Sequence, residues 1–435
     1  MKKHLISYMK KLIKIFLPFI FSQTAKDTYL VMVANVVGGL TGLIFTILVA
    51  RHLSVAGFGT FSSLMNLTLI LASLVDFGMT QGTVNFIPAI ILEKDESKIR
   101  HYIGNMLGVV LLASLLVIAL LEFLPGKLAI KLGGTDNKTY LLVAGLSVLS
   151  LSLYSYFLGV FQAFKKFKLL SLIEIVFSLF RVLILWPLIF LGLTVDKALG
   201  TLIIGGLASF LIVLKFWPAK GIKLNFSLTT LKRIFQFSRW LWFVNMIINI
   251  YGKLDVLLLT ALTSSLVVAK YAAASRLALV FPLAINSLNA VIAPRFASFS
   301  NDQANLSYVK KTLLMTLSLA FLFLIWLVIA QPLVIIVYGE RYLESIELFR
   351  KLVLANIPLL ITIPVTNSLI YFFKKPNLIT LVSAIQLIVF GSLSWKLIPS
   401  FSGQAPIYGF FVANTLGAIL IYGFWLKLHW ERTHE

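Results

Sequence analysis

The chain has 435 residues, of which 59% are hydrophobic and 12% charged, with a mean hydropathy of +0.96. An ordinary soluble domain is about 25% charged, so a soluble domain is excluded; disorder is excluded by the hydrophobicity, and a secreted disulfide scaffold by the absence of cysteine. A net charge of +22 would suggest nucleic acid in a soluble protein, but here most basic residues sit in short loops between apolar runs, where they orient membrane spans; no nucleic-acid partner is expected.

Residues 3–16 read as a basic amphipathic helix. Lys3, Ser7, Lys10, Lys11 and Lys14 share one face, and Leu5, Met9, Leu12, Ile13 and Phe16 the other. Such a helix lies on the inner leaflet among anionic membrane lipids. A signal peptide fits less well, because Lys14 interrupts the apolar stretch and a cleavage site after Ala25 would have Gln23 at its −3 position.

A spanning helix needs about 20 mostly apolar residues. Twelve runs qualify: 29–50, 58–79, 102–124, 139–163, 170–191, 199–216, 240–261, 271–293, 312–337, 352–373, 378–395 and 406–426. The second is too long for one simple span if it extends to 92, so its helix either continues past the membrane or is followed by a short helix after Pro88. Lysine and arginine number 25 in the seven segments on the side of the termini and 10 in the six loops opposite, with three more inside spans. The asymmetry puts both termini in the cytoplasm. The chain therefore reads as an all-α polytopic membrane protein: a cytoplasmic segment 1–28, a six-helix bundle 29–216, a basic linker 217–239 with Lys220, Lys223, Lys232, Arg233 and Arg239, a second six-helix bundle 240–426, and a tail 427–435. A faint repeat at an offset of 210 supports the halves: Leu48-Val49-Ala50 faces Leu258-Leu259-Thr260, and Gly59-Thr60-Phe61-Ser62 faces Ala269-Lys270-Tyr271-Ala272. An even number of spans per half makes the repeats parallel, a transporter architecture with the substrate path between halves.

Enzyme signals are missing. There is no G-x-x-x-x-G-K-[ST], no H-E-x-x-H and no G-x-S-x-G. His4, His52, His101, His429 and His434 are scattered through termini and loops. A membrane glycan polymerase or ligase needs catalytic groups in large outside loops, and the outside loops here are short. No enzyme activity, cofactor or metal is expected, and a proton or sodium gradient is the open choice for coupling.

Charge inside a span costs about 2.5–3.5 kcal/mol on insertion scales and so marks function by default. The residues are Asp76, Glu174, Arg181, Lys253, Asp255 and Arg276. Glu174 and Arg181 share a face of the fifth span, seven residues and about 10 Å apart. Arg181 sits near mid-membrane, which makes it the first choice for a substrate clamp. Lys253 and Asp255 lie in the outer part of the seventh span and Arg276 at similar depth in the eighth, so the three can meet. The plain alternative for each is an interhelical ion pair or snorkelling at a span end. Three basic residues suit an anionic, phosphate-bearing cargo, because arginine forks onto phosphate oxygens. Trp186, Trp240, Trp242, Tyr251, Tyr271, Tyr371 and Phe372 are candidates to stack on sugar rings, although such residues are more often interface anchors or packing.

Five stretches resemble a known family. Leu48-Val49-Ala50-Arg51-His52-Leu53-Ser54-Val55-Ala56-Gly57-Phe58-Gly59-Thr60-Phe61 resembles the first outside loop of polysaccharide-export flippases, and Leu74-Val75-Asp76-Phe77-Gly78-Met79 resembles the element that follows in span two. Lys253-Leu254-Asp255-Val256-Leu257-Leu258-Leu259, Ala269-Lys270-Tyr271-Ala272-Ala273-Ala274-Ser275-Arg276-Leu277 and Tyr338-Gly339-Glu340-Arg341-Tyr342 follow in matching order. Ala269 and Ser54 stand where glycine is usual. The family is the O-antigen or lipid-linked oligosaccharide flippase branch of the multidrug and polysaccharide exporter superfamily. The resemblance implies two six-helix bundles around a central cavity. It implies transfer of undecaprenyl-pyrophosphate-linked oligosaccharide to the outer leaflet of a prokaryotic inner membrane, for surface polysaccharide. Carried onto this chain, the basic cavity includes Arg181, Lys253 and Arg276, with Arg51 at the outer end of span one as a gating residue or an interface anchor. A monomer is expected, and a complex with polysaccharide polymerase machinery stays open. The competing readings are a cation-coupled multidrug exporter of the same superfamily and a membrane glycan polymerase or ligase.

Overall fold

The computed structural model of the chain describes residues 23–218, 221, 226–299 and 301–434. The amphipathic segment 3–16, Lys220 and Lys223 lie outside the described residues. Everything regular among the described residues is helical: α1 Gln23–His52, α2 Val55–Val75, α3 Met79–Leu92, α4 Glu96–Glu122, α5 Gly126–Gly133, α6 Lys138–Ala163, α7 Phe167–Phe190, α8 Val195–Phe216, α9 Leu228–Tyr251, α10 Leu254–Leu262, α11 Ser265–Leu277, α12 Val280–Ala297, α13 Asp302–Tyr338, α14 Glu344–Asn367, α15 Pro376–Phe401 and α16 Ala405–His434.

Ten of these runs are long and apolar enough to cross a membrane, or eleven with α9 and α10 taken as one broken span. One of the ten, Pro376–Arg432, is really two helices, α15 and α16. Gln386 donates to the Ala413 carbonyl at 3.3 Å, and Phe390 stacks on Phe410 at 4.0 Å. Pairings that advance along one helix while retreating along the other mean antiparallel neighbours. Counted this way, the described residues hold the twelve spans that the sequence predicts.

Local chemistry sets the breaks. Ser54 Oγ accepts the Gly57 N–H at 3.0 Å and starts α2. Asp95, Asn137 and Asn301 cap α4, α6 and α13 in the same manner, as short oxygen-bearing side chains do. The long second run is broken earlier than Pro88, which lies inside α3. Phe77 and Gly78 adopt φ of 43° and 75°, two successive left-handed residues that no helix can continue through. The breaks after His52 and Leu262, and the restarts at Val55 and Ser265, fall at the 210-residue offset of the sequence repeat.

Two compact units emerge. The first holds the described residues up to Val49 together with Thr68–Leu124 and Asn137–Asn249. Its core runs through Ile87, Ile103, Met106, Tyr156, Val160, Phe161, Ile173 and Ile234, all fully enclosed. Tyr156 spends its hydroxyl on the Ile103 carbonyl at 2.9 Å. Small residues let helices approach, as membrane interfaces require: a Cβ on Gly82 would stand 2.6 Å from Ile234 Cγ2, and one on Gly78 2.7 Å from Ser238 Cβ.

The second unit holds Ala50–Leu67, Pro125–Asp136 and the chain from Ile250. The α2 start meets the α11 start so closely that a Cβ on Gly59 would run into the Ser265 carbonyl. Ser63 and Thr260 share a hydrogen bond of 2.7 Å beside it. Outward-facing Leu116, Leu211, Phe321 and Val328 are exposed, the state of side chains whose solvent is lipid.

Candidate functional site

In the second unit α10 and α11 run antiparallel from a two-residue turn. Lys253 stands one residue before α10, nine residues below the turn, and Arg276 eleven residues along α11. At 1.5 Å per residue both lie roughly 15 Å from the turn, at the same level of the helix pair. Asp255 lies between them, 8% exposed. Its Oδ2 accepts the Tyr271 hydroxyl at 2.7 Å and its Oδ1 the Val256 N–H at 2.8 Å. Arg276 lies in the electrostatic field of Asp255 and of the Tyr338 hydroxyl, and Lys253 in that of Asp255 and Arg276. Among the described residues Arg276 makes no hydrogen bond or contact ion pair. An arginine in a membrane span with its donors uncommitted can take an anion in bidentate fashion.

The other predicted residues lie elsewhere. In the first unit Arg181 sits over the Phe45 ring at 4.4 Å and near Phe177 at 5.6 Å. Its aliphatic stem crosses α8 at Gly205, where an added Cβ would come within 2.8 Å of Cγ. Tyr154 stacks on Phe177 at 4.1 Å and feels both Glu174 and Arg181. Glu174 Oε2 is buried with no hydrogen-bond partner among the described residues. Beside this group, α6, α7 and α8 form a half-open apolar pocket of about 210 Å³ lined by Leu146, Tyr154, Phe157, Leu207 and Phe210 among others. Asp76 accepts both the N–H (3.1 Å) and the hydroxyl of Thr80 and so opens α3.

Arg51 has a different kind of neighbour. Its Nε donates to the Val337 carbonyl at 2.7 Å and a terminal nitrogen to the Ile336 carbonyl, the open end of α13. Arg341 donates back to the Arg51 carbonyl, and the Tyr342 hydroxyl to the Ala50 carbonyl at 3.1 Å. Phe58 meets the Tyr342 ring edge-on at 5.9 Å.

By sequence alone Tyr271 is only a stacking candidate. Its hydrogen bond to Asp255 follows from the turn at 263–264, which puts residues about eight away on either side opposite each other. Tyr338 carries no such signal, because it arrives from a helix more than sixty residues further on.

The model of the polysaccharide biosynthesis protein family matches residues 24–300. The chain belongs to that family. No curated protein matches this member of it. Among solved structures, the lipid II flippase MurJ in an inward closed conformation is similar with a TM-score of 0.70, at 15% identity over 90% of this chain and 86% of that one. An inward-facing multidrug resistance MATE family transporter of the MOP superfamily aligns with a TM-score of 0.68, at 14% identity over 90% and 94%. The MATE multidrug transporter DinF-BH aligns with 0.63, at 14% identity over 92% and 94%. At such identities the likeness establishes the shared fold, which is the fold expected from the five motifs.

Proposed function

We propose that this family member is a flippase that carries a lipid-linked oligosaccharide from the inner to the outer leaflet of a prokaryotic cytoplasmic membrane, by alternating access and without a chemical step. The observation that carries the reading is Arg276: a half-buried guanidinium in a predicted span that makes no hydrogen bond or contact ion pair among the described residues, beside Lys253 and in the field of Asp255. A diphosphate between sugar and prenyl chain would take the uncommitted donors of Arg276. Family membership supports a cargo of surface-polysaccharide intermediates. The basic asymmetry supports cytoplasmic termini, and the 210-residue offset of the helix breaks supports two related halves, 29–216 and 240–426. In the site two cations face one carboxylate, which favours an anionic cargo over the cationic drugs of a multidrug exporter.

Deletion of the gene tests the reading. Lipid-linked repeat units are expected to collect on the cytoplasmic leaflet, and normal outer-leaflet units in a clean deletion would refute it. Dye efflux from proteoliposomes is the outcome that would instead support the multidrug reading, and single units accumulating outside would support a polymerase.

A further inference from the structure

Asp255 has no obvious place in a site for anions. It is buried, yet its oxygens are held by a tyrosine hydroxyl and a backbone N–H rather than by the two cations nearby. Tyr251, on α9, is the other titratable group that feels its charge. Besides α11, which carries Lys270 and Arg276, the helices packed on α10 carry Lys127 and Lys131 on α5 and Lys396 on α15, all three exposed and none of them among the groups that feel Asp255. Leu254 reaches α15 at Gly391, an uncharged contact. The negative charge therefore acts on Lys253 and Arg276 and on whatever binds them. Two cations left in a low-dielectric span are costly without an anion.

Resting on the anionic-cargo reading above, we propose that Asp255 is a resident counter-ion that competes with the cargo headgroup for Lys253 and Arg276. With the site empty, its charge offsets theirs. When a diphosphate arrives, the same charge opposes it, so the headgroup is held weakly enough to leave. Tyr271 keeps the carboxylate in place without a contact ion pair, so that neither Arg276 donor is consumed. Asp255 is thus a residue that sets affinity and release, and not one that grips the cargo.

The test uses the purified full chain and farnesyl pyrophosphate as probe, with farnesol as the uncharged control and inorganic pyrophosphate to separate a lipid headgroup from a free anion. Asp255→Asn retains an oxygen for the Tyr271 hydroxyl. It is expected to bind farnesyl pyrophosphate at least tenfold more tightly than the natural chain, with farnesol binding unchanged, and to translocate lipid-linked cargo more slowly in proteoliposomes. Should that variant not fold, Asp255→Ser serves, since its hydroxyl also accepts from Tyr271. Equal or weaker probe binding by a folded variant overturns the counter-ion proposal while leaving the anion site standing. Absence of probe binding by the natural chain and the variant alike overturns the anion site itself, and the counter-ion with it. Tighter binding of inorganic pyrophosphate alone overturns the lipid-headgroup version of the proposal.

Discussion

Two arginines inside spans meet different surroundings, and their substitutions should differ accordingly. Arg276 has charge and uncommitted donors to offer. Arg276→Gln is expected to lower translocation at least tenfold while protein level and thermal unfolding temperature stay at the natural values. Arg276→Lys should retain part of the activity, because charge survives while the planar fork is lost. Arg181 lies against Phe45 and Phe177 and along Gly205. Arg181→Met keeps an unbranched stem and a sulfur that suits aromatic rings, so translocation within about twofold of the natural rate is expected. A collapse of transport in stable Arg181→Met protein would return the clamp role to the fifth span, where the sequence places it.

At the level of elements, the breaks and close approaches carry the stability. Gly78 sits at φ 75° with Ser238 on its Cβ side, so Gly78→Ala adds left-handed strain to a clash. A loss of about 1–3 kcal/mol is expected, visible as a lower unfolding temperature in detergent. Gly59→Ala drives a methyl into the Ser265 carbonyl and should cost more, because backbone cannot yield as a side chain can. Unchanged unfolding temperatures would show that these helices separate freely. The spans themselves were legible because twenty apolar residues between charged loops leave few alternatives. The α2–α3 break was not, since Phe77 and Gly78 look like any aromatic and glycine in an apolar run until their φ angles are known. The α10–α11 cluster was legible in outline, because charge at equal depth on consecutive spans must meet or be wasted. The Arg181 surroundings were not, because Phe45 lies more than a hundred residues away.

For the whole molecule, the charge asymmetry makes a sidedness prediction. The natural chain has no cysteine, so single substitutions report without background. Lys166→Cys, in the exposed turn between α6 and α7, is expected to react with an impermeant maleimide only from the cytoplasmic side. Lys127→Cys, exposed on α5, should react only from outside. Labelling of both from one side would break the twelve-span count, since an odd number of crossings separates them.

The contacts at the C-terminal end of α13 have a consequence for how the protein varies among its relatives. Arg51 and Arg341 address carbonyl oxygens and not side chains. Every amino acid presents the same carbonyl, so Ile336 and Val337 are free to drift while the arginines are not. A relative that exchanged both apolar residues for others would keep the bond intact. Pairwise covariation, which infers proximity from compensating changes, has nothing to detect here: one partner cannot change and the other need not. The carbonyl-directed bonds between these distant segments would thus stay silent in an alignment, and of the contacts at this join only the ring pair Phe58–Tyr342, where both partners are side chains, could betray it.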